Sequence, residues 1–286
     1  MKGLSHRLSR TISTAPEPPD VAEFATKDLA ESSRATSRHG LETCAPGRVI
    51  SNEDGSYWLI QSRYALNHLH GARELRGLLL RDVDRLAMVT GDARLHSPSV
   101  RQMLFLDIEA TGLSQGAGTH AFLIGLAYFE DEALIVEQLL MREPKEEGAV
   151  LRRVMALLER FPLLVSFNGK SYDTSVLRNR LVIHRYGDDG SMAIKLSPHF
   201  DLLHLSRNLY KGCWVNTRLG TLETERLGVI REDDMPGHLV PSTWFHFLRT
   251  GDARPLRDAI EHNRVDVLSM VTLADALMED CAPEVR

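Results

Sequence analysis

MLFLDIEA (residues 103–110) is apolar except at Asp107 and Glu109. It is followed by ATGLSQGAGTH (110–120), AFLIGLAYFE (121–130) and ALIVEQLLM (133–141). The pattern reads as a strand, a glycine-rich turn and two more strands, a meander. Downstream, PKEEGAVLRRVMALLERF (144–161) reads as a helix, with Glu in its first turn and Arg toward its last as the helix dipole favours. LLVSFNG (163–169) is a fourth strand whose apolar run suits a buried, parallel position. DTSVLRNRLVIHRY (173–186) is a second helix and HFDLLHL (199–205) holds a short fifth strand. Helices then run to the end, including PLRDAIEHNRVDVLSMVTLADALM (255–278).

Three strands in a meander, then helix, strand, helix, strand, is the order of a ribonuclease-H-like mixed α/β sheet, three antiparallel strands followed by parallel ones, flanked by helices. Upstream, RVISNEDGSYWLIQSRY (48–64) reads as two strands around a turn at Asn52 to Gly55. ARELRGLLLRDVDRLAMVTGD (72–92) reads as one amphipathic helix, with Leu75, Leu78, Leu79, Val83 and Leu86 near helical spacing. Residues 1–42, rich in Ser, Thr, Pro and Arg, read as a disordered tail. The expected organisation is a tail (1–42), a small N-terminal α+β module with a linker (43–100) and the main domain (101–280).

The chain has 286 residues, 43% hydrophobic and 26% charged, which excludes wholesale disorder and fibrous classes. No stretch approaches eighteen uninterrupted apolar residues, so no membrane partner is expected. Cys44, Cys213 and Cys281 lie too far apart for a zinc knuckle or a disulfide framework, and no apolar segment follows the basic start; a cytoplasmic protein is expected. The net charge of −5 excludes a uniformly basic nucleic-acid coat but leaves room for a local basic groove. Neither a dinucleotide fingerprint nor a phosphate-loop lysine motif is present.

Asp107 and Glu109, two apart on a strand, project from one face. Paired carboxylates at the end of a buried strand are costly unless neutralised, and a hard divalent cation is the natural partner. The plainer reading is two acids on a strand running into solvent. Asp173 opens a helix and reads either as a site acid or as an N-cap. Asn168, at the end of the fourth strand, is placed to bond a substrate or hold the loop. Asp266 lies four residues after His262 on one helical face, among Val265, Val267, Leu268 and Val271. This pair reads as part of a site or as a surface His–Asp pair.

LFLDIEATGL, FNGKSYDTSVL and HNRVD together resemble the three motifs of the DEDD exonuclease superfamily, which has a ribonuclease-H-like fold. GAGTHAFLIGLAYF, LVSFNGKSYD, HFDLLHLSR, LGTLETERLG, the segment from DDMPG to VPSTWF, and HNRVDVLSM extend the resemblance to the bacterial YprB-type family of predicted exonucleases. The resemblance implies that Asp107, Glu109, Asp173 and Asp266 bind two divalent cations, Mg²⁺ or Mn²⁺. In the superfamily the water-activating residue is a His five positions before the last Asp or a Tyr four before it. Here His262 stands at the tyrosine's spacing. It reads either as the group that deprotonates or orients the water, or as a hydrogen-bond partner of a carboxylate ligand.

Between 170 and 226 there are nine basic residues against six acids, interleaved with Tyr172, Tyr186, Tyr210 and Trp214, a composition suited to a single-stranded path. Lys170 and Arg207, each beside a motif, are the preferred substrate binders. Thr111 and Gly112 are placed for backbone contact with a terminal nucleotide. Trp58, His68 and His70 are expected to pack. The expected function is 3′-to-5′ removal of nucleotides from single-stranded DNA or RNA by a two-metal mechanism. The rivals are a non-catalytic nucleic-acid-binding module, marked by single-strand affinity without divalent binding, and a hydrolase of very short oligonucleotides, marked by turnover of dinucleotides alone.

Overall fold

The structure, a computed structural model, describes residues 40–95, 99–112, 114, 116–186, 198–232 and 234–281. The strands are β1 (Arg48–Asn52), β2 (Gly55–Ala65), β3 (Leu69–His70), β4 (Arg73–Glu74), β5 (Met103–Ala110), β6 (Ala121–Glu130), β7 (Ala133–Leu140), β8 (Leu163–Ser166) and β9 (His199–Asp201). The helices are α1 (Leu41–Cys44), α2 (Asp84–Thr90), α3 (Glu147–Arg160), α4 (Asp173–Ile183), α5 (Leu202–Leu209), α6 (Leu219–Leu222), α7 (Val240–Thr250) and α8 (Arg254–Asp280).

Seven strands form one sheet in the order β1-β2-β7-β6-β5-β8-β9. β5, β6 and β7 are the antiparallel meander, while β8 and β9 add in parallel beyond β5. The acid-bearing β5 therefore lies where antiparallel pairing gives way to parallel. This is the mixed α/β sheet expected from the sequence. Along β5 the period-two alternation divides two cores. Leu104, Leu106 and Ile108 enter one cluster with α3, α4 and α7; Met103 and Phe105 enter the other, with Val267, Leu268 and Val271 of α8. Asp107 and Glu109 share the parity of Met103 and Phe105, so they emerge on the α8 side. A register shift at Glu109/Ala110 bends the strand end where the acids sit.

Three expectations need correction. The strands of residues 43–100 do not stand apart as a module, because β2 pairs with β7 from Trp58↔Leu140 to Ala65↔Ala133 and extends the main sheet. Residues 72–92 are not one helix: they form β4, a 3-10 turn over Leu75–Leu80, and α2. The cause is tertiary, since Arg73 and Arg81 both reach the buried Asp275 on α8, and the chain bends to bring them there. Leu41 is buried, so residues 40–42 belong to the fold rather than to the tail. The rest of the expected tail, residues 1–39, lies outside the described residues. No described helix is long and apolar enough to cross a membrane.

Trp58 and His70 do pack. Trp58 Nε1 donates to the Ala45 carbonyl at 2.9 Å. His70 Nε2 lies 2.8 Å from Ser269 Oγ, and burial lowers its pKa to about 4. His68 is exposed and lies tilted against the Tyr64 ring, with ring centroids 4.8 Å apart.

Candidate active site

The parallel strands β5, β8 and β9 deliver their C-terminal ends to one edge of the sheet, where ligand sites of such sheets gather. Asp107 and Glu109 come from β5, Asp173 from the first turn of α4 after β8, and Asp266 from the middle of α8. Burial, followed by the charges of Asp266, Glu109 and Asp173, pushes Asp107 well above the ordinary carboxylate range. Glu109 is likewise raised, by burial and then by Asp266 and Asp173. Asp173 rises to about 7, through burial and then the neighbouring Asp201. Burial also raises Asp266, against the opposing pull of Arg231 and His262. The four expected acids thus act on one another as a single concentration of negative charge.

The plainer readings of these acids do not fit their surroundings. Tyr172 occupies the N-cap position of α4, and Asp173 follows it with its carboxylate buried. His262 Nε2 is 3.8 Å from Asp266 Oδ2, beyond hydrogen-bond length, so the two are not simply a helix-surface pair. Instead His262 Nδ1 lies 2.7 Å from Asp234 Oδ1. Because a carboxylate only accepts, Nδ1–H is the donor in that contact, and Nε2 is the ring nitrogen on the side of Asp266.

Several residues that place the acids went unrecognised in the sequence. Asn263, fully buried, donates from Nδ2 to Asp107 Oδ2 at 2.8 Å, and its Oδ1 accepts from Gln138 Nε2 at 2.9 Å. Gly125 makes this possible: it faces Asp107 across the β5–β6 ladder, and a Cβ there would lie 2.3 Å from Asn263 Oδ1. A lone glycine inside the apolar run AFLIGLAYFE was the available signal of such a close approach. Gly169 serves Asp173 in the same way, since its Cβ would meet Ser166 Oγ at 2.4 Å and Asp173 Oδ2 at 2.7 Å. Asp201 accepts from the backbone N–H groups of Asn168 (2.8 Å), Lys170 (3.0 Å) and Leu203 (3.1 Å), tying the 168–170 loop to the start of α5. Arg231, held by Glu223, pairs with Asp266. Glu223 and Asp234 fall inside the LGTLETERLG and DDMPG stretches, with Arg231 between them, but no spacing marked any of the three as a site residue.

The expected substrate binders divide. Asn168, with left-handed φ of 64°, and Arg207 line a cleft of about 420 Å³ with Phe167, Leu203, Asn216, Thr217, Arg218 and Leu219. Lys170 is exposed beside it. Thr111 closes the β5–β6 turn, exchanging hydrogen bonds with His120 at 2.9 and 3.0 Å. The Gly112 carbonyl accepts from the Tyr172 hydroxyl. Part of the broader basic and aromatic path is committed elsewhere: Arg180 binds Glu147, Arg226 binds Asp280, and the Tyr186 and Tyr210 hydroxyls donate to Asp54 and Asp280. Lys195 lies outside the described residues.

The donor set at the acids is hard oxygen throughout, the coordination chemistry of Mg²⁺ or Mn²⁺. Its raised pKa values mark a charge deficit that divalent cations would relieve, so the residues fit such ions. Among the described residues, no three His, Cys, Asp or Glu side chains already close around one point.

The chain is 33% identical over 226 residues to the uncharacterized protein YprB of Bacillus subtilis (strain 168), a match covering 77% of this chain and 53% of YprB. It therefore spans about half the length of that relative. Residues 104–278, which carry all four acids, match the RNase H superfamily, and the chain belongs to that superfamily.

Proposed function

We propose that the chain is a metal-dependent nuclease that removes nucleotides from the 3′ end of single-stranded DNA or RNA. The observation that carries this reading is that four carboxylates from three separate elements lie near enough, at one sheet edge, for three of them to be raised in pKa by fellow site acids as well as by burial. Membership of the ribonuclease H superfamily supports a nuclease. The 3′ polarity and the two-metal count follow the resemblance to DEDD exonucleases.

In this reading Asp107, Glu109, Asp173 and Asp266 hold two divalent cations, Mg²⁺ or Mn²⁺, which when bound acidify the attacking water and stabilise the departing oxygen. Asn263 fixes the Asp107 carboxylate in one rotamer through its 2.8 Å hydrogen bond. His262, oriented by Asp234, presents Nε2 to take the proton of the water. Arg207, Arg218 and Asn168 hold the incoming strand in the cleft beside the acids, and Phe167 offers an apolar face there. Thr111 and Gly112 shape the turn against which the terminal nucleotide rests.

The test compares the intact chain with Asp107→Ala on single-stranded DNA and RNA in Mn²⁺, with circular dichroism to check the fold. The variant is expected to lose about 100- to 1,000-fold in turnover, on the order seen when a charge-stabilising group is removed. Undiminished hydrolysis by a folded Asp107→Ala would refute the assignment.

A further inference from the structure

Arg231 lies in the segment that follows α6, outside every motif of the site, yet its side chain is only 13% exposed. Its Nε donates to Glu223 Oε2 at 2.7 Å, and its Nη2 pairs with both Glu223 Oε1 and Asp266 Oδ1. Nη1 is 3.4 Å from Asp234 Oδ1 and 3.2 Å from His262 Nδ1. Among the described residues it is the one cationic side chain in hydrogen-bond contact with any of the four site acids. Glu223, whose side chain is 1% exposed, anchors the guanidinium so that it stays at the rim of the site. A planar fork suits this bridging of two carboxylates, which the point charge of a lysine would not reproduce.

We propose that Arg231 is a built-in competitor for the cation at Asp266: it takes Asp266 Oδ1 in the metal-free protein and makes the two cations load unequally. The inference rests on the metal-dependent reading above. A carboxylate oxygen engaged by a guanidinium is not free to ligate, and a guanidinium beside a dication is repelled by it. One cation, held by Asp107, Glu109 and Asp173, none of which has a guanidinium hydrogen bond among the described residues, therefore displaces no ion pair. The other binds only as Arg231 yields Asp266 while keeping Glu223. In exchange, the metal-free protein keeps its buried Asp266 compensated. Arg231 is a positioning residue in this scheme. A mere brace for the 228–234 segment would alter stability without altering metal affinity.

The test strips the full chain with EDTA and titrates it with Mn²⁺ alone, following free Mn²⁺ by electron paramagnetic resonance. The wild type is expected to show two classes of site at least tenfold apart in affinity. Arg231→Gln is expected to tighten the weaker class at least tenfold and to lower the melting midpoint of the metal-free protein, with recovery on adding Mn²⁺. Arg231→Lys should fall between. One ion in the wild type and a second gained in Arg231→Gln is the limiting form of the same result. Two equivalent sites in the wild type would overturn the proposal even if no variant folds. So would an unchanged weaker site, or an unchanged single ion, in a folded Arg231→Gln. Absence of any Mn²⁺ binding by the wild type would defeat the metal-dependent reading itself, whereas the other negative outcomes leave that reading standing.

Discussion

Asp173 keeps its proton to about pH 7 in the fold, where burial and the Asp201 charge oppose ionisation. In the unfolded chain an aspartate ionises near pH 4. Between those values the native state carries the extra proton, so this group makes the metal-free protein less stable as pH rises. The share of one proton is about 1.4 kcal/mol per pH unit. Asp173→Asn, which stays neutral, should remove that share of the slope when urea unfolding of the EDTA-treated protein is followed across this range. Identical slopes in wild type and variant would show that Asp173 is ionised throughout. The four acids were legible one by one in the sequence, because LFLDIEATGL, FNGKSYDTSVL and HNRVD place them at strand ends and on helices. Their supports were not. Asn263, Asp234 and Arg231 reach the site only through tertiary contacts that no local spacing encodes.

At the scale of elements, the turn after β5 and the helix that carries Asp173 are clasped by one buried carboxylate. Glu147, at the start of α3, accepts from Arg180 Nε of α4 at 2.7 Å, from His120 Nδ1 at 3.0 Å and from His184 Nε2 at 2.8 Å. Arg180 Nη1 also donates to the Ala117 carbonyl in the turn. Despite burial, these donors bring the Glu147 pKa down to about 2. Glu147→Gln should cost about 3 kcal/mol of folding stability, because it leaves the Arg180 guanidinium buried without its counter-charge. Chemical denaturation measures this, and a loss under about 1 kcal/mol would mean that the clasp contributes little. Element boundaries follow how local their causes are. MLFLDIEA and AFLIGLAYFE coincide with β5 and β6, since apolar strands flanked by turns announce themselves. Residues 72–92 do not, because the ion cluster of Arg73 and Arg81 with Asp275 overrides a helical hydrophobic period.

For the molecule as a whole, the meander and the two parallel strands were readable from the order of elements. The joining of β2 to β7 was not, because the apolar run along GSYWLIQSRYA marks a buried strand but not which strand it pairs with. That joining widens the sheet at the edge away from the acids, while β6 on one side and β8 and β9 on the other keep β5, with Asp107 and Glu109 near its C-terminal end, inside it. The central claim is that the site of the four acids hydrolyses phosphodiester bonds with divalent cations. Its most direct test is a time course on 5′-labelled single-stranded DNA and RNA with Mn²⁺, with Mg²⁺ and with EDTA. The account predicts a ladder of products shortened from the 3′ end, present with either metal and absent with EDTA. Intact strands in both metals, from protein shown to be folded and to bind Mn²⁺, would contradict it.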